Sequence, residues 1–302
     1  MITAFHHPSP EPPRNAAPAY AIAECCEALA VSRSGYYDHL AKPERTHHQH
    51  DEVLAAQIET EFNASRKTYG ARRILRKLRS QGRRHSRRRI VRLMAKRKLR
   101  AFQKGRYRPK TTDSRHGGPI APNLLQKVPL PSRSNQVWVT DVTYIETTAG
   151  WRYLSATLDL CTRKIVAWNL FDSLETSLCT TTLQLALEAE RPDTHSLIYH
   201  SDRGVQYASL EFRSQLAISR ITQSMSRQGN CYDNAFMESF WATFKAECLP
   251  NKLISTPQQL QLLTFDYMHT FYNPSRLHSS LDYQSPLDFE RKLNQSLTNN
   301  QN

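Results

Sequence analysis

No stretch of the 302 residues stays apolar for the ~18 positions that a membrane-spanning helix requires, which points to a soluble protein without membrane contact. Cysteine is sparse and scattered: Cys25, Cys26, Cys161, Cys179, Cys231 and Cys248 include no CxxC pair. Neither a zinc site nor a disulfide framework is indicated, and free thiols in a reducing cytoplasm fit best. The opening residues, MITAFHHPSPEPPRNAAP, lack the basic-then-apolar order of a secretory signal, and their Pro, Ala and His content predicts a disordered leader over 1–19. No internal repeat and no coiled-coil heptad pattern is visible. The most telling absence is of acid. Residues 66–110 carry 21 Lys and Arg and not one Asp or Glu. The net charge of +14 is therefore local, because the rest of the chain holds 20 basic against 27 acidic residues. Two regions with different tasks are implied.

Residues 21–29 read as a short helix, Ser32 as a cap, and 33–40 as a second helix. The spacing suits a helix-turn-helix. It suits equally a helical hairpin that buries Ile22, Leu29, Val31 and Tyr36. Two further helices are expected at 70–80, with Ile74, Leu75 and Leu78 inward, and at 86–98, with Ile90, Val91, Leu93 and Met94 inward. Their outward positions are filled by arginine, among them Arg72, Arg73, Arg76, Arg87 and Arg88. A merely solvated face would mix its charges, so these are expected to neutralise DNA phosphates. A basic, Pro- and Gly-rich linker over 101–134 separates this helical DNA-binding region, 20–100, from the remainder of the chain.

Beyond the linker, QVWVTDVTYIE (136–146), WRYLSATLD (151–159) and KIVAWNLF (164–171) alternate as three strands of an antiparallel meander. A helix over about 174–190, a strand at 197–200, a helix near 209–216, a strand near 221–223 and a helix from 234 to about 248 complete a βββαβαβα order over 135–250. A helical extension and a polar tail occupy 251–302.

Three carboxylates are out of place for their surroundings. Asp141 lies inside a strand among Val137, Val139 and Ile145, Asp202 directly follows the apolar LIYH, and Glu238 interrupts the apolar and aromatic AFMESFWATF. Each alone reads equally well as an ion-paired, turn or exposed acid. Together, acids from a strand, a strand end and a helix offer hard oxygen ligands for Mg²⁺ or Mn²⁺. Two such ions can serve in-line phosphoryl displacement, the chemistry of nucleases and strand transfer. Lys245, two helical turns after Glu238, is read as a DNA phosphate contact or a surface lysine. Asp159 is a fourth acid that either joins the site or caps the turn after its strand; His200 contacts substrate or bonds within the sheet.

VTDVTYI, LDLCTRKIVAW, HSDRGVQY, SMSRQGNCYDNAFMESFWATFKAE and FYNPSRLHSSLDYQSP each resemble motifs of one group, as do the N-terminal VSRSGYY and YGARRILRKL. The group is the bacterial insertion-sequence transposases of the OrfB type, whose catalytic core is similar to retroviral integrase. The 35 residues between Asp202 and Glu238 match the separation typical of this subset of DDE enzymes. The resemblance implies an α/β (α+β) ribonuclease-H-like core behind a basic helix-turn-helix region. It implies a catalytic and metal-binding triad of Asp141, Asp202 and Glu238 with two Mg²⁺ or Mn²⁺ ions, and it places Lys245 at the group's basic position. Arg203, Asn230, Asn234, Arg276 and His278 stand in the same motifs, where the resemblance implies either DNA contacts or supports behind the metal ligands. Ser219-Arg220, in place of a frequent glycine, and Trp241, in place of a smaller aromatic, depart from the pattern without touching the triad. The expected partners are element terminal repeats, target DNA, an OrfA-type product of an upstream frame and further copies of the chain on DNA. A metal-dependent nuclease that cuts without joining, and a catalytically inactive DNA-binding regulator, are the alternatives.

Overall fold

In a computed structural model, the structure describes residues 21–41, 45–102, 118–126, 129–227, 234–249 and 254–299. Expectations for the leader, for Asn230 and Cys231, and for much of the linker lie outside these residues. The chain divides into two compact units, 1–56 and 57–302.

The first unit contains α1 (Ile22–Ala28), α2 (Arg33–Ala41) and the start of α3 (Arg45–Ala64). Ser32 caps α2, its Oγ accepting from Gly35 N at 3.0 Å. The expected hairpin core is not formed. Leu29 and Val31 are 73% and 51% exposed, and of α1 only Cys26 is buried. Each helix is too short to bury both sides of so small a pair.

In the second unit, α4 (Ala71–Ser80) and α5 (Arg87–Lys96) follow the expected stripes. Ile74, Leu75, Leu78, Ile90, Leu93 and Met94 are buried, whereas Val91, expected inward, is exposed. Ser86 caps α5 by accepting from Arg89 N at 3.2 Å. This helical pair is seated on the end of the chain. Tyr69 Oη donates to Ser275 O at 3.0 Å and accepts from Leu277 N at 2.8 Å. Arg66 grips Asp266 at 2.6 Å.

The meander forms as expected: β1 (Val137–Thr147), β2 (Gly150–Asp159) and β3 (Ile165–Phe171) pair antiparallel, Asp141 standing opposite Ala156. The β1–β2 turn needs Gly150, at φ +98°. Next come α6 (Thr176–Glu190), β4 (Ile198–Ser201), α7 (Val205–Ala208), α8 (Leu210–Ile218), β5 (Thr222–Met225) and α9 (Ala235–Cys248). The strands β4 and β5 add in parallel, giving the order β3-β2-β1-β4-β5. Trp138, Cys179, Leu183, Tyr199, Tyr207, Phe212 and Met225 form the core between this sheet and α6 to α8.

The C-terminal segment holds α10 (Pro257–Phe265), a π-helical stretch (Asp266–Tyr272), α11 (Asn273–Ser275) and α12 (Pro286–Asn299). Its Tyr267 and Tyr272 pack edge-on against Phe244 and Phe240 of α9, centroids 5.4 and 5.0 Å apart. The Asn273 side chain pairs both ways with the Ile165 backbone at 2.9 Å, closing part of the outer edge of β3. Part of the expected linker also belongs to this unit, since Leu124 N donates to Ser224 Oγ at 2.9 Å beside β5.

Candidate active site

Strand alternation explains why Asp141 is set apart from the core. Trp138 and Val142 face α6 to α8, so Asp141 projects to the other face of β1. There Trp241 of α9 lies close enough for its indole N–H to stabilise the carboxylate, and that buried N–H has no hydrogen-bond partner of its own. Asp202 stands just past the end of β4, the neighbour of β1. Its Oδ1 accepts from Gly204 N at 2.9 Å, and a Cβ at Gly204 would press on the same oxygen at 3.1 Å. The glycine thus lets the backbone close tightly around the carboxylate. Glu238 is in the first turn of α9, exposed, near the positive end of the helix dipole.

These three acids share one electrostatic neighbourhood. Burial holds the Asp141 carboxyl well above the ordinary carboxylate range, the charge of Asp202 adds to that, and Glu238 adds less. Among the described residues no three of His, Cys, Asp and Glu are close enough to enclose a metal ion. The donor set nevertheless fits a hard divalent cation. All three ligands are carboxylates, and the half-buried Asp141 is pressed by two neighbours of like charge, a repulsion that a cation would turn to attraction.

The remaining candidates separate clearly. Asp159 is the turn cap: its Oδ1 accepts from Thr162 N and Oγ1 at 2.7 and 2.9 Å, its Oδ2 from Asn135 N at 2.7 Å. His200 is fully buried and bonds Ser224 and Ser226 within the sheet. Arg203 donates to Ser226 O at 2.7 Å. Arg276, for which a DNA contact was one of two readings, is only 4% exposed and makes a bidentate pair with Glu247, 2.7 Å on each side. Burial, and then the charges of Arg276, Arg73 and Arg163, hold His278 well below the ordinary histidine range, so it carries no charge to offer a phosphate.

Of the arginine stripe, Arg72, Arg87 and Arg88 are exposed, while Arg73 turns inward. Its Nε donates to Leu277 O at 3.0 Å and its guanidinium lies over the Tyr69 ring. Arg76 is over Tyr283 at 4.8 Å with an outer edge toward Asp282. Lys245 is likewise engaged: its Nζ donates to Tyr144 O at 2.9 Å, and burial lowers its pKa while Asp141 acts to raise it. Two features of this unit were not anticipated from sequence. Helix α3 is one, although Leu54, Ile58 and Phe62, all buried, recur at a spacing of four and mark one helical face. The Trp241 N–H is the other, for which an indole beside an acid-bearing helix face is the only sequence signal.

Comparison with known proteins adds identity to this geometry. Two models described as "Integrase core domain" match residues 131–231 and 219–286, and one described as "HTH-like domain" matches 49–107. The helix-turn-helix match thus falls on α3 to α5 and leaves out α1 and α2, the short pair whose spacing had suggested such a motif. The chain is 40% identical over 89% of its length, and 98% of the relative's, to the insertion element IS600 uncharacterized 31 kDa protein of Shigella sonnei. It is 33% identical to the transposase InsF for insertion sequence IS3A of Escherichia coli, over 90% of this chain and 95% of that one. It is 36% identical to the transposase for insertion sequence element IS904 of Lactococcus lactis, over 80% and 94%. With an integrase-type core on its five-stranded sheet and near-complete coverage of such relatives, the chain belongs to the bacterial insertion-sequence transposases.

Proposed function

We propose that this chain cuts DNA at the ends of an insertion sequence and joins the freed ends to target DNA, with Asp141, Asp202 and Glu238 as its catalytic carboxylates. The observation that carries the reading is the shared field at Asp141, raised by burial and by both other acids. These three residues would hold Mg²⁺ or Mn²⁺, two ions by the chemistry of the reaction. When bound, such cations supply charge to the attacking and leaving oxygens of a phosphodiester. Asp141, on β1, and Asp202, just past the end of the adjoining β4, would form the rigid half of the set, and Glu238 would complete it from α9. Hydrolysis of one phosphodiester frees a 3′-OH, and that hydroxyl then attacks a second phosphodiester; each step breaks one P–O bond as it forms another. No side chain becomes covalently attached.

DNA is held by α4 and α5 through Arg72, Arg87 and Arg88, with Arg76 at the edge of the same face. Terminal repeats and target DNA are the substrates. An OrfA-type partner and further copies of the chain complete the assembly on DNA in the cytoplasm, at the nucleoid. Each neutralised phosphate releases counterions and steepens the salt dependence by ~0.9. Replacing Arg87 and Arg88 together by alanine is therefore expected to flatten the slope of log K against log salt by about 1.8, read by titration of labelled duplex. An unchanged slope removes these two residues from the DNA face.

The deciding assay incubates purified protein with Mg²⁺ or Mn²⁺ and labelled duplexes carrying the element's own ends, beside Glu238→Gln. Joined products from the wild type alone support the proposal. Cleavage without joining moves the reading to a nuclease. DNA binding with no reaction from either protein, with the OrfA-type partner supplied, moves it to a regulator of transposition.

A further inference from the structure

Among the described residues no strand covers the edge of β1 where it passes the candidate site. In the sheet β4 pairs only with Val137 to Val139, so among the described residues no strand lies beside the even-numbered carbonyls of β1 from Thr140 onward. That these groups face the β4 side is shown by Gln136 O, which accepts from Ile198 N. Unpaired edge groups beside a buried site are costly, and side chains from α9 take the place of a strand. Asn234 Nδ2 donates to Thr140 O at 3.3 Å and Lys245 Nζ to Tyr144 O at 2.9 Å. The two acceptors bracket Asp141, and the two donors bracket Glu238.

Asn234 reaches β1 at a cost to its own helix. It is the N-cap residue of α9, where asparagine normally accepts from the first-turn amides, a bond worth ~1 kcal/mol. Here it makes no such bond. Its amide is turned to β1 instead, it is only 6% exposed, and its Oδ1 is left buried without a hydrogen-bond partner. The dimensions agree with two clamps on one line. Eleven residues of helix rise about 16 Å and four residues of strand about 13 Å, a difference the long lysine side chain spans.

We infer that Asn234 and Lys245 are positioning residues which fix the register of α9 along the open edge of β1, and so set Glu238 against Asp141 for metal binding. The inference rests on the carboxylate triad proposed above. It gives Lys245 a task at β1 that uses one of the three N–H donors of its ammonium. A one-residue slip of α9 would swing Glu238 about 100° around the helix, while leaving the helix folded.

The test is Mn²⁺ titration followed by electron paramagnetic resonance on the DNA-free full chain, with wild type, Asp141→Asn, Asn234→Ala and Lys245→Met. DNA binding in EDTA is measured as a function of salt on the same proteins. Loss of a group that orients a ligand usually weakens metal binding about 10-fold or more. Both Asn234→Ala, which changes no charge and should leave the salt slope that of the wild type, and Lys245→Met are expected to show that loss. Wild-type Mn²⁺ affinity in both variants overturns the inference. A slope flattened by about 0.9 in Lys245→Met with its Mn²⁺ affinity unchanged, the mark of a phosphate contact and nothing more, overturns the role assigned to Lys245. If Lys245→Met does not fold, as judged by circular dichroism, Asn234→Ala decides by itself. Wild-type Mn²⁺ binding that does not depend on Asp141 would instead overturn the triad, so the two failures are distinguishable.

Discussion

Asp141→Asn should abolish strand transfer and at the same time raise the melting temperature of the metal-free protein. The carboxyl is pushed well above its ordinary range by burial and then by Asp202 and Glu238, so the charge needed for metal binding is one the empty fold resists. A carboxyl whose folded pKa exceeds its unfolded value binds more protons in the fold. Its contribution therefore turns against stability as pH rises from the ordinary carboxylate range through the raised value. At neutral pH that penalty weighs on the wild type and is absent from the amide. Divalent cation should reverse the order, stabilising the wild type and leaving the variant unmoved. For activity, the loss of several kcal/mol of charge stabilisation is about a thousandfold or more at 1.36 kcal/mol per decade. Scanning calorimetry with and without Mg²⁺ and the end-joining assay read the two effects. Retained joining by Asp141→Asn removes this residue from the chemistry; equal melting at acid and neutral pH removes the electrostatic argument.

Arg276→Ala is the second large effect, and it is one of stability. The side chains of Arg276 and Glu247 are 5% and 8% exposed, joined by two bonds of 2.7 Å, and Tyr267 Oη adds a third donor to Glu247 at 2.8 Å. Removing one partner leaves the other charge buried and alone, which costs about 3–5 kcal/mol. Urea unfolding should show that loss for Arg276→Ala and for Glu247→Gln. Replacing both with apolar residues of similar volume should recover most of it. A single-variant cost below about 1 kcal/mol would mean that water reaches the pair.

The elements around the site were readable because their signals are local. The meander boundaries agree with the alternation to within a residue or two, and α9 with a helix-length apolar and aromatic run. The acids Asp141, Asp202 and Glu238 could be singled out because each sits among residues that do not welcome charge. What escaped the sequence depends on partners far along the chain. Arg73 looked like its outward neighbours, and nothing near it announces a bond to the carbonyl of Leu277. Arg276 read equally as a DNA contact or as a support behind the site, because its partner Glu247 is 29 residues away on another helix. Helix α3 was missed for a different reason: its buried Leu54, Ile58 and Phe62 form a narrow stripe that Glu59, Thr60 and Glu61 interrupt, which thins the apolar signal. Lys245 shows the limit most clearly, since the sequence places it on the face of Glu238 but says nothing of the open strand edge it finds there.

The seating of α4 and α5 on the segment around Ser275 and Leu277 bears on how the protein is made. Tyr69, Arg66 and Arg73 wait for groups that leave the ribosome some 200 residues later. Contacts of such sequence separation form slowly, so a nascent chain carries its arginine-rich helices without their final support until some 200 further residues have been made. A premature stop shortly before Asp266 would then remove more than a tail: the product would keep every basic residue of those helices and lose the surface that holds them in place.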